Sequence, residues 1–302
     1  MTLVPSPVQH PLGPPVVTGS LVTVDVMLNQ PTRVTRMIMD LSLQRFIADR
    51  VFASAGGVTG GAVIYDQAIL NQLYLTRDVQ KVAPGEEIPL VTSERLTPKV
   101  AAVEKWGGKT YITDEARDRN NSVALTNQLR QLTNTIIRKI NAKAIAVLEN
   151  TLAAFPSQIY TGHDWNAYQP AGTSPSALSA SPWADLMTAQ MLADKDELGV
   201  TYDTVLLNPL NVLRLRQLYT SALFQGLEDL NLTIYSSNRV AVGSGYIVAS
   251  QQVGEMRIEK PLGTETWREQ GTERNWIQST VRPVMYCTNP FSVRKITGIG
   301  TA

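Results

Sequence analysis

Val103-Glu104-Lys105-Trp106-Gly107-Gly108-Lys109-Thr110-Tyr111-Ile112-Thr113-Asp114-Glu115-Ala116-Arg117-Asp118-Arg119-Asn120, with the helical pattern behind it, decides how the rest of the chain is read. It reads as a strand that turns through the paired glycines, re-forms, and stops at a helix cap. Thr113 is a good N-cap, and Asp114 and Glu115 put negative charge on the first turn, where the helix dipole favours it. Asn120-Asn121-Ser122 offers a second cap or a break. From Val123 to Leu152 the apolar residues fall on one stripe at steps of three and four: Leu125, Leu129, Leu132, Ile136, Ile140, Ala144, Val147 or Leu148, and Leu152. Some thirty residues make a rod of roughly 45 Å, long for a domain of ordinary size, and point to the backbone of an extended, flat molecule.

Upstream, residues 1–31 carry Pro5, Pro7, Pro11, Pro14, Pro15 and Pro31, with Asp25 as the one charged side chain. Such a chain favours extended structure, either as a tail or as an arm that orders on a neighbouring subunit. Leu21 to Leu28 has the alternation of a strand. Pro31 or Thr32 opens a helix expected to run to about Ala53, with Met37, Ile38, Leu41, Phe46, Ile47 and Val51 on its apolar face and arginines on the rest. Gly56, Gly57, Gly60 and Gly61 read as a hinge loop; no Lys-Ser/Thr pair follows, so it is not a phosphate-binding P-loop. Residues 62–112 read as strands and turns: Ala62 to Tyr65, Arg77 to Val82, Ile88 to Val91, Lys99 to Val103 and Lys109 to Ile112, with a turn at Ala83-Pro84-Gly85-Glu86-Glu87. A long charged hairpin has little apolar material of its own and is marginal alone in water, so it should rest on something, another subunit being the natural support.

Downstream, residues 173–182 form a low-complexity loop. Its end caps a helix from about Trp183 to Leu198, followed by a strand at Thr204 to Leu207 and a helix from Asn208-Pro209 to Tyr219. Val240 to Val242 and Tyr246 to Ala249 read as strands, giving an α/β unit over about 157–260. The end is β again: Glu255 to Lys260, Thr264 to Gln270, Asn275 to Tyr286 and Ser292 to Thr297. Gln278 to Val284 is expected to pair with the strand before the long helix, which makes the α/β unit an insertion.

The 302 residues carry 27 Lys+Arg against 26 Asp+Glu, a formal charge of +1 that marks no overall nucleic-acid binder. One cysteine, Cys287, excludes an internal disulfide framework and a cysteine zinc cluster. No apolar run is long enough for a membrane span, and the start has no secretory signal pattern. The histidines, His10 and His163, have no flanking pattern to hold them as catalytic bases. Gly243-Ser244-Gly245 lacks the nucleophile-elbow spacing. No metal-ligand spacing occurs, and neither a cofactor nor an enzymatic activity is expected.

The segments Pro31 to Phe52, Gly60 to Tyr65, Ala83 to Pro89, Glu104 to Asn120 and Arg274 to Ile299 (with Arg282-Pro283-Val284 and Asn289-Pro290-Phe291) resemble, in order and spacing, the major capsid proteins of tailed bacteriophages with the HK97-type fold, especially the short forms from phages of actinobacteria. The resemblance implies an α+β fold with an N-terminal arm (1–31), an N-terminal helix and glycine hinge (32–61), and an E-loop hairpin (62–102). It also implies a P-domain with a long spine helix (103–156 and 261–302) and an inserted A-domain (157–260). The implied function is a structural subunit of an icosahedral head, assembling into hexamers and pentamers around double-stranded genomic DNA, in the virion and built in the host cytoplasm. Its partners would be copies of itself, a portal, decoration proteins, and a separate scaffolding protein, because the chain starts directly at the arm.

Through its E-loop, intersubunit contact is expected from Arg77, Lys81, Pro84, Gly85, Glu86, Glu87 and Arg95. The place where some members carry a crosslinking lysine matches Arg95, which cannot form that bond. Leu125, Leu129, Leu132, Ile136 and Ile140 form the spine-helix core. Non-specific, salt-sensitive DNA contact would fall to Arg33, Arg36, Arg130, Arg138, Lys139 and Lys143. Two other readings compete: an encapsulin-like compartment shell, and a soluble α/β enzyme, which would form a discrete monomer or dimer with a deep polar pocket.

Overall fold

A computed structural model describes residues 24–36, 46–69, 81–88, 90, 96–220 and 222–300. In chain order the elements are α1 (Val24–Asn29), α2 (Ala48–Val51), β1 (Phe52–Gly57), β2 (Ala62–Asp66), β3 (Pro98–Ala102), β4 (Trp106–Thr113), α3 (Asp114–Asp118), α4 (Ser122–Ala154) and β5 (Ile159–Thr161). They continue with α5 (Pro182–Lys195), β6 (Thr204–Leu207), α6 (Pro209–Tyr219), α7 (Ala222–Asp229), β7 (Thr233–Ser236), β8 (Ser244–Val248), β9 (Gly254–Glu269), β10 (Arg274–Cys287) and β11 (Val293–Thr297). Residues 31–36 are also helical. The chain makes two compact units: residues 1–46, 104–139 and 260–283, and residues 47–103, 140–259 and 284–302.

In the first unit, β10 pairs antiparallel with β4 from Arg274↔Thr113 to Val281↔Trp106 and has β9 on its other side. The pairing expected for Gln278 to Val284 is met over 278–281; the register begins at Arg274 and ends at Val281. From Arg274 to Pro283 the odd-numbered residues of β10 are buried and the even-numbered ones half-buried, the alternation of a sheet with one covered face. Val24, Leu28, Val34, Ile112, Leu125, Leu129 and Ile277 close that covered face. Gly107 and Gly108 do not turn the chain; they lie inside a continuous strand. A Cβ at Gly107 would stand 2.7 Å from the Ser279 carbonyl oxygen, and one at Gly108 2.7 Å from Leu132 Cδ1. The glycines therefore serve close approach, by β10 at one position and by α4 at the other.

Thr113 caps α3 as expected, its hydroxyl accepting from the Ala116 amide. Asn120 at φ +48° reverses the chain, and Asn121 is the second cap, accepting from the Ala124 amide at 3.1 Å. On α4 the residues Leu125, Leu129, Leu132, Ile136, Ile140, Ala144, Leu148 and Leu152 are all buried. Leu148, not the half-buried Val147, carries the stripe.

The second unit holds a five-stranded sheet in the order β5-β11-β8-β6-β7. β6 is parallel to β7 and antiparallel to β8, and β11 is antiparallel to β8 and parallel to β5. Trp165, Leu186, Val205, Leu207, Leu215, Ile247 and Ile296 lie in its core with α5, α6 and α7. Gly245 has Leu207 Cδ2 at 2.6 Å and the Leu206 carbonyl oxygen at 3.3 Å from where its Cβ would be, so a side chain there would displace its neighbours.

Several expectations change. Residues 24–28 form a helix rather than a strand, because Val24 and Leu28 bury the same side one turn apart. Of the helix expected from Pro31 to about Ala53, 31–36 and Ala48–Val51 are helical; Phe52 and Ala53 already belong to β1, which pairs parallel with the start of β9 and takes in Gly56 and Gly57, so the expected glycine loop narrows to 58–61. No strand covers Val240 to Val242; the Asn208 side chain donates to the Val240 carbonyl, and the strand begins at Ser244. Lys81, Val82, Ile88 and Leu90 lie outside any strand. The last strand, β11, pairs with β8 and β5 in the five-stranded sheet. The tail 1–23 and the segments 37–45, 70–80, 89 and 91–95 lie outside the described residues.

Candidate functional site

The residues that a catalytic reading would need do not converge. His10 lies outside the described residues. His163 is an exposed loop residue, as expected; its backbone amide and Nδ1 meet the Asp185 carboxylate at 3.0 and 2.8 Å, and Trp165 Nε1 donates to the same carboxylate at 2.8 Å. Asp185 is buried on α5 and Trp165 is buried beside it. This network ties a loop to the sheet's helical layer and brings up no nucleophile. The Cys287 thiol donates to the Val253 carbonyl, and burial pushes its pKa up to about 12. The Ser244 hydroxyl donates to the Ala241 carbonyl, and Gly243 has φ +77° with the Gly300 carbonyl against it. Among the described residues no cluster of three or more His, Cys, Asp or Glu could hold a metal, and no helix is long and apolar enough to cross a membrane.

Surfaces carry more information. The β2-β3 hairpin has one anchored face and one bare face. Val63, Tyr65, Ala101 and Val103 pack on Val58, Val284 and Tyr286, with the Tyr65 and Tyr286 rings stacked at 4.6 Å. Gln67 donates to the Cys287 carbonyl at 3.1 Å, the Ala68 amide to Thr288 at 2.7 Å, and Lys99 reaches the Gln67 side chain. Tyr286 in turn donates to Glu255, which holds that carboxyl below its usual range, with Arg257 adding to the effect. The other face presents Ile64 and Val100 as a directly opposed pair, 74% and 67% exposed. Covering two such side chains is worth about 1–2 kcal/mol each. The sequence held the signal: in Ala62-Val63-Ile64-Tyr65-Asp66, apolar residues occupy both faces of a short strand.

The turn beyond the hairpin is set by Gly85 at φ +93° and by Glu86, whose amide donates to the Ala83 carbonyl and whose carboxylate accepts from the Ala83 amide, both at 3.1 Å. Lys81, Pro84, Gly85, Glu86 and Glu87 are all exposed; Arg77 and Arg95 lie outside the described residues. Of the basic residues singled out for DNA, Arg33, Arg36, Arg130, Arg138 and Lys139 are exposed, while Lys143 is half-buried and already engaged.

The first unit has a polar anchor at the start of α3. Asp114 is buried and accepts from Arg268 Nε at 2.8 Å and Asn275 Nδ2 at 2.5 Å. The Arg268 bond, more than burial or Asn275, decides its electrostatics, and the carboxyl sits below its ordinary range. Asp114 was expected only to complement the helix dipole; it also ties α3 to β9 and β10. The uncovered face of β4, β9 and β10 carries Tyr111, Trp267 and Trp276 in a row, ring centroids 5.2 Å apart for Tyr111–Trp276 and 6.3 Å for Trp267–Trp276. Sequence reading missed this row because its three members lie on three strands.

A family described as phage capsid protein matches residues 96–296. No curated protein matches by sequence. Among solved structures, the virus-like particle from Pyrococcus furiosus is similar at TM-score 0.61 and 13% identity, covering 88% of this chain and 99% of that one. A Mycobacterium phage Bobi structure follows at 0.59 and 12%, covering 86% and 90%. A phage-related protein from Bordetella bronchiseptica RB50 gives 0.57 and 13%, covering 90% and 98%. Likeness at such identities is a likeness of fold, and the fold is the α+β HK97-type capsid fold. The class this fold defines is that of shell proteins with the capsid fold. The chain belongs to the phage capsid protein family, as a major capsid protein with a structural role in the virion.

Proposed function

We propose that this chain packs into hexamers and pentamers of an icosahedral head that encloses double-stranded DNA. The observation that carries the reading is the family match over about two thirds of the chain, together with a hairpin whose Ile64–Val100 face is exposed among the described residues. A subunit with such a face gains stability when a copy covers it, so assembly and folding are linked, and closed symmetry repeats the contact. On this reading residues 1–31 are the arm, 62–102 the E-loop, 103–156 and 261–302 the P-domain, and 157–260 the A-domain. Lys81, Pro84, Gly85, Glu86 and Glu87, with Arg77 and Arg95, meet the neighbour. Arg33, Arg36, Arg130, Arg138 and Lys139 face the genome without reading sequence, with Lys143 more weakly placed because it already has a partner. A portal, a scaffold and decoration proteins complete the head, and assembly takes place in the host cytoplasm.

Electron microscopy and sedimentation of the purified chain test this, with a nucleic-acid absorbance check on particles from an infected lysate. Closed shells with hexameric and pentameric capsomers, filled with DNA in the lysate, are expected. Small shells holding a cargo protein would turn the reading to a compartment shell. A discrete monomer or dimer at all concentrations would overturn it.

A further inference from the structure

Strand β7 ends one side of the five-stranded sheet, and among the described residues no strand pairs with its outer side. Its bonds to β6 alternate along the chain. The Thr233 amide donates to the Asp203 carbonyl at 2.7 Å and the Ser237 amide to that of Leu207 at 2.9 Å, in a parallel register that sets Tyr235 beside Leu206. Thr233, Tyr235 and Ser237 therefore turn their backbone groups inward. Ile234 and Ser236 turn theirs outward, each with an amide and a carbonyl. Natural sheets blunt such edges with charge, proline or a bulge. Here the run Asn231-Leu232-Thr233-Ile234-Tyr235-Ser236-Ser237-Asn238 holds neither a charge nor a proline, and its register with β6 has no shift.

The strand is complementary to a copy of itself. Ile234 and Ser236 flank Tyr235 symmetrically. A twofold axis at Tyr235 sets Ile234 of one copy opposite the partner's Ser236, and Ser236 opposite the partner's Ile234. Both are pairs whose outward groups exchange two hydrogen bonds in an antiparallel ladder. Tyr235 then meets its own counterpart at the closer, non-bonded position between them, an aromatic cross-strand pair of the stabilising kind. The Arg50 guanidinium lies 5.2 Å from the Tyr235 ring centre and braces it on that face. On the helical face, half-buried Ile234 joins Val212, Leu223 and Leu227 along a groove of about 420 Å³ beside Phe224, which is 65% exposed; this leaves room for a neighbouring strand's side chain. We propose that β7 is a self-pairing edge, with two copies joining antiparallel β7 strands about a twofold axis at Tyr235 into one continuous sheet. The contact goes beyond the shell reading and does not depend on it.

The test uses the full chain below the concentration at which shells form. Sedimentation should show a reversible monomer–dimer equilibrium. Tyr235→Cys should give a disulfide-linked dimer under mild oxidation, because paired Cα atoms at a non-bonded antiparallel position stand about 4.5 Å apart, within disulfide reach. Leu210→Cys, exposed on α6, should not, and native Cys287 is buried and does not compete. Ser236→Pro removes an exposed side chain and an amide that the β6 ladder does not use, so the subunit should keep its circular dichroism melt within a few degrees. Its dimer dissociation constant should rise tenfold or more, since each copy loses a cross-strand donor. A chain that stays monomeric throughout, no disulfide from Tyr235→Cys, or a folded Ser236→Pro that dimerises as tightly as wild type overturns the self-pairing. Ile234 and Ser236 amides that become protected from hydrogen exchange only in shells, without that disulfide, assign the edge to a different strand and overturn it too. None of these outcomes bears on whether the chain forms shells.

Discussion

Gly107→Ala and Gly108→Ala distinguish a strand from a turn at the centre of the chain. Neither glycine has a positive φ, so backbone strain is not at issue, and alanine in a strand interior is worth roughly 0.5–1 kcal/mol over glycine on entropy alone. At Gly107 the new methyl meets the Ser279 carbonyl oxygen at 2.7 Å and Thr280 at 2.8 and 3.2 Å. These atoms belong to β10, whose register with β4 holds the sheet, so relief requires a backbone shift of a few tenths of an ångström. Overpacking of that kind costs about 1–3 kcal/mol. At Gly108 the obstacle is the end of the Leu132 side chain at 2.7 Å, which can change rotamer. Gly107→Ala should therefore be destabilised by about 1–2 kcal/mol net and Gly108→Ala by about 1 kcal/mol or less. In thermal melts of unassembled subunits followed by circular dichroism, Gly107→Ala should melt several degrees lower. Equal melting, or a stabilised Gly107→Ala, would falsify the close β4–β10 approach on which the first unit's description depends.

Other outcomes follow from the same geometry. Leu129→Ala removes a fully buried side chain from the first unit's core and should cost about 2–5 kcal/mol in denaturant titrations, while Arg130→Ala, exposed one residue on, should stay within about 0.5 kcal/mol. Ile136→Pro should abolish assembly by breaking α4; normal shells from it would refute the spine assignment. Asp114 has a lowered folded-state pKa, so its contribution is present above the unfolded carboxylate pKa of about 3.9 and disappears as pH falls through the lower folded value. Asp114→Asn should be less stable at neutral pH and show a shallower loss of stability across the acid range, and an unchanged acid limb in pH-dependent melts would contradict the Arg268 pairing. Ile64→Ser with Val100→Ser should leave the subunit's melt nearly unchanged, because both side chains are exposed, yet prevent shell closure by electron microscopy. A cut near Gly85 should likewise leave a folded subunit that closes no shell.

The long-range order of this chain was legible before its contacts were. Helix α4, the cap of α3 at Thr113, the strand before them and the pairing of part of β10 with that strand follow from period, capping chemistry and the alternation of β10, all local properties of side chains and backbone. So does the order of segments that resembles a capsid protein. What local pattern cannot decide is which of two compatible periods a short segment adopts. Val24 and Leu28 suit a strand in isolation and a helix once Ile112, Leu125 and Ile277 offer them a surface, and Phe52 and Ala53 leave the helical pattern because β9 supplies hydrogen bonds. The glycines at 107 and 108 look like a turn until the carbonyl of Ser279 and the side chain of Leu132 are seen to require them. The aromatic row exists because three strands meet, and Asp114 is an anchor because Arg268 and Asn275, over 150 residues away, fold back to it. Sequence by itself determined the elements and their order, since these depend on neighbours in the chain; tertiary structure decided the ambiguous segments and the surfaces, since those depend on neighbours in space.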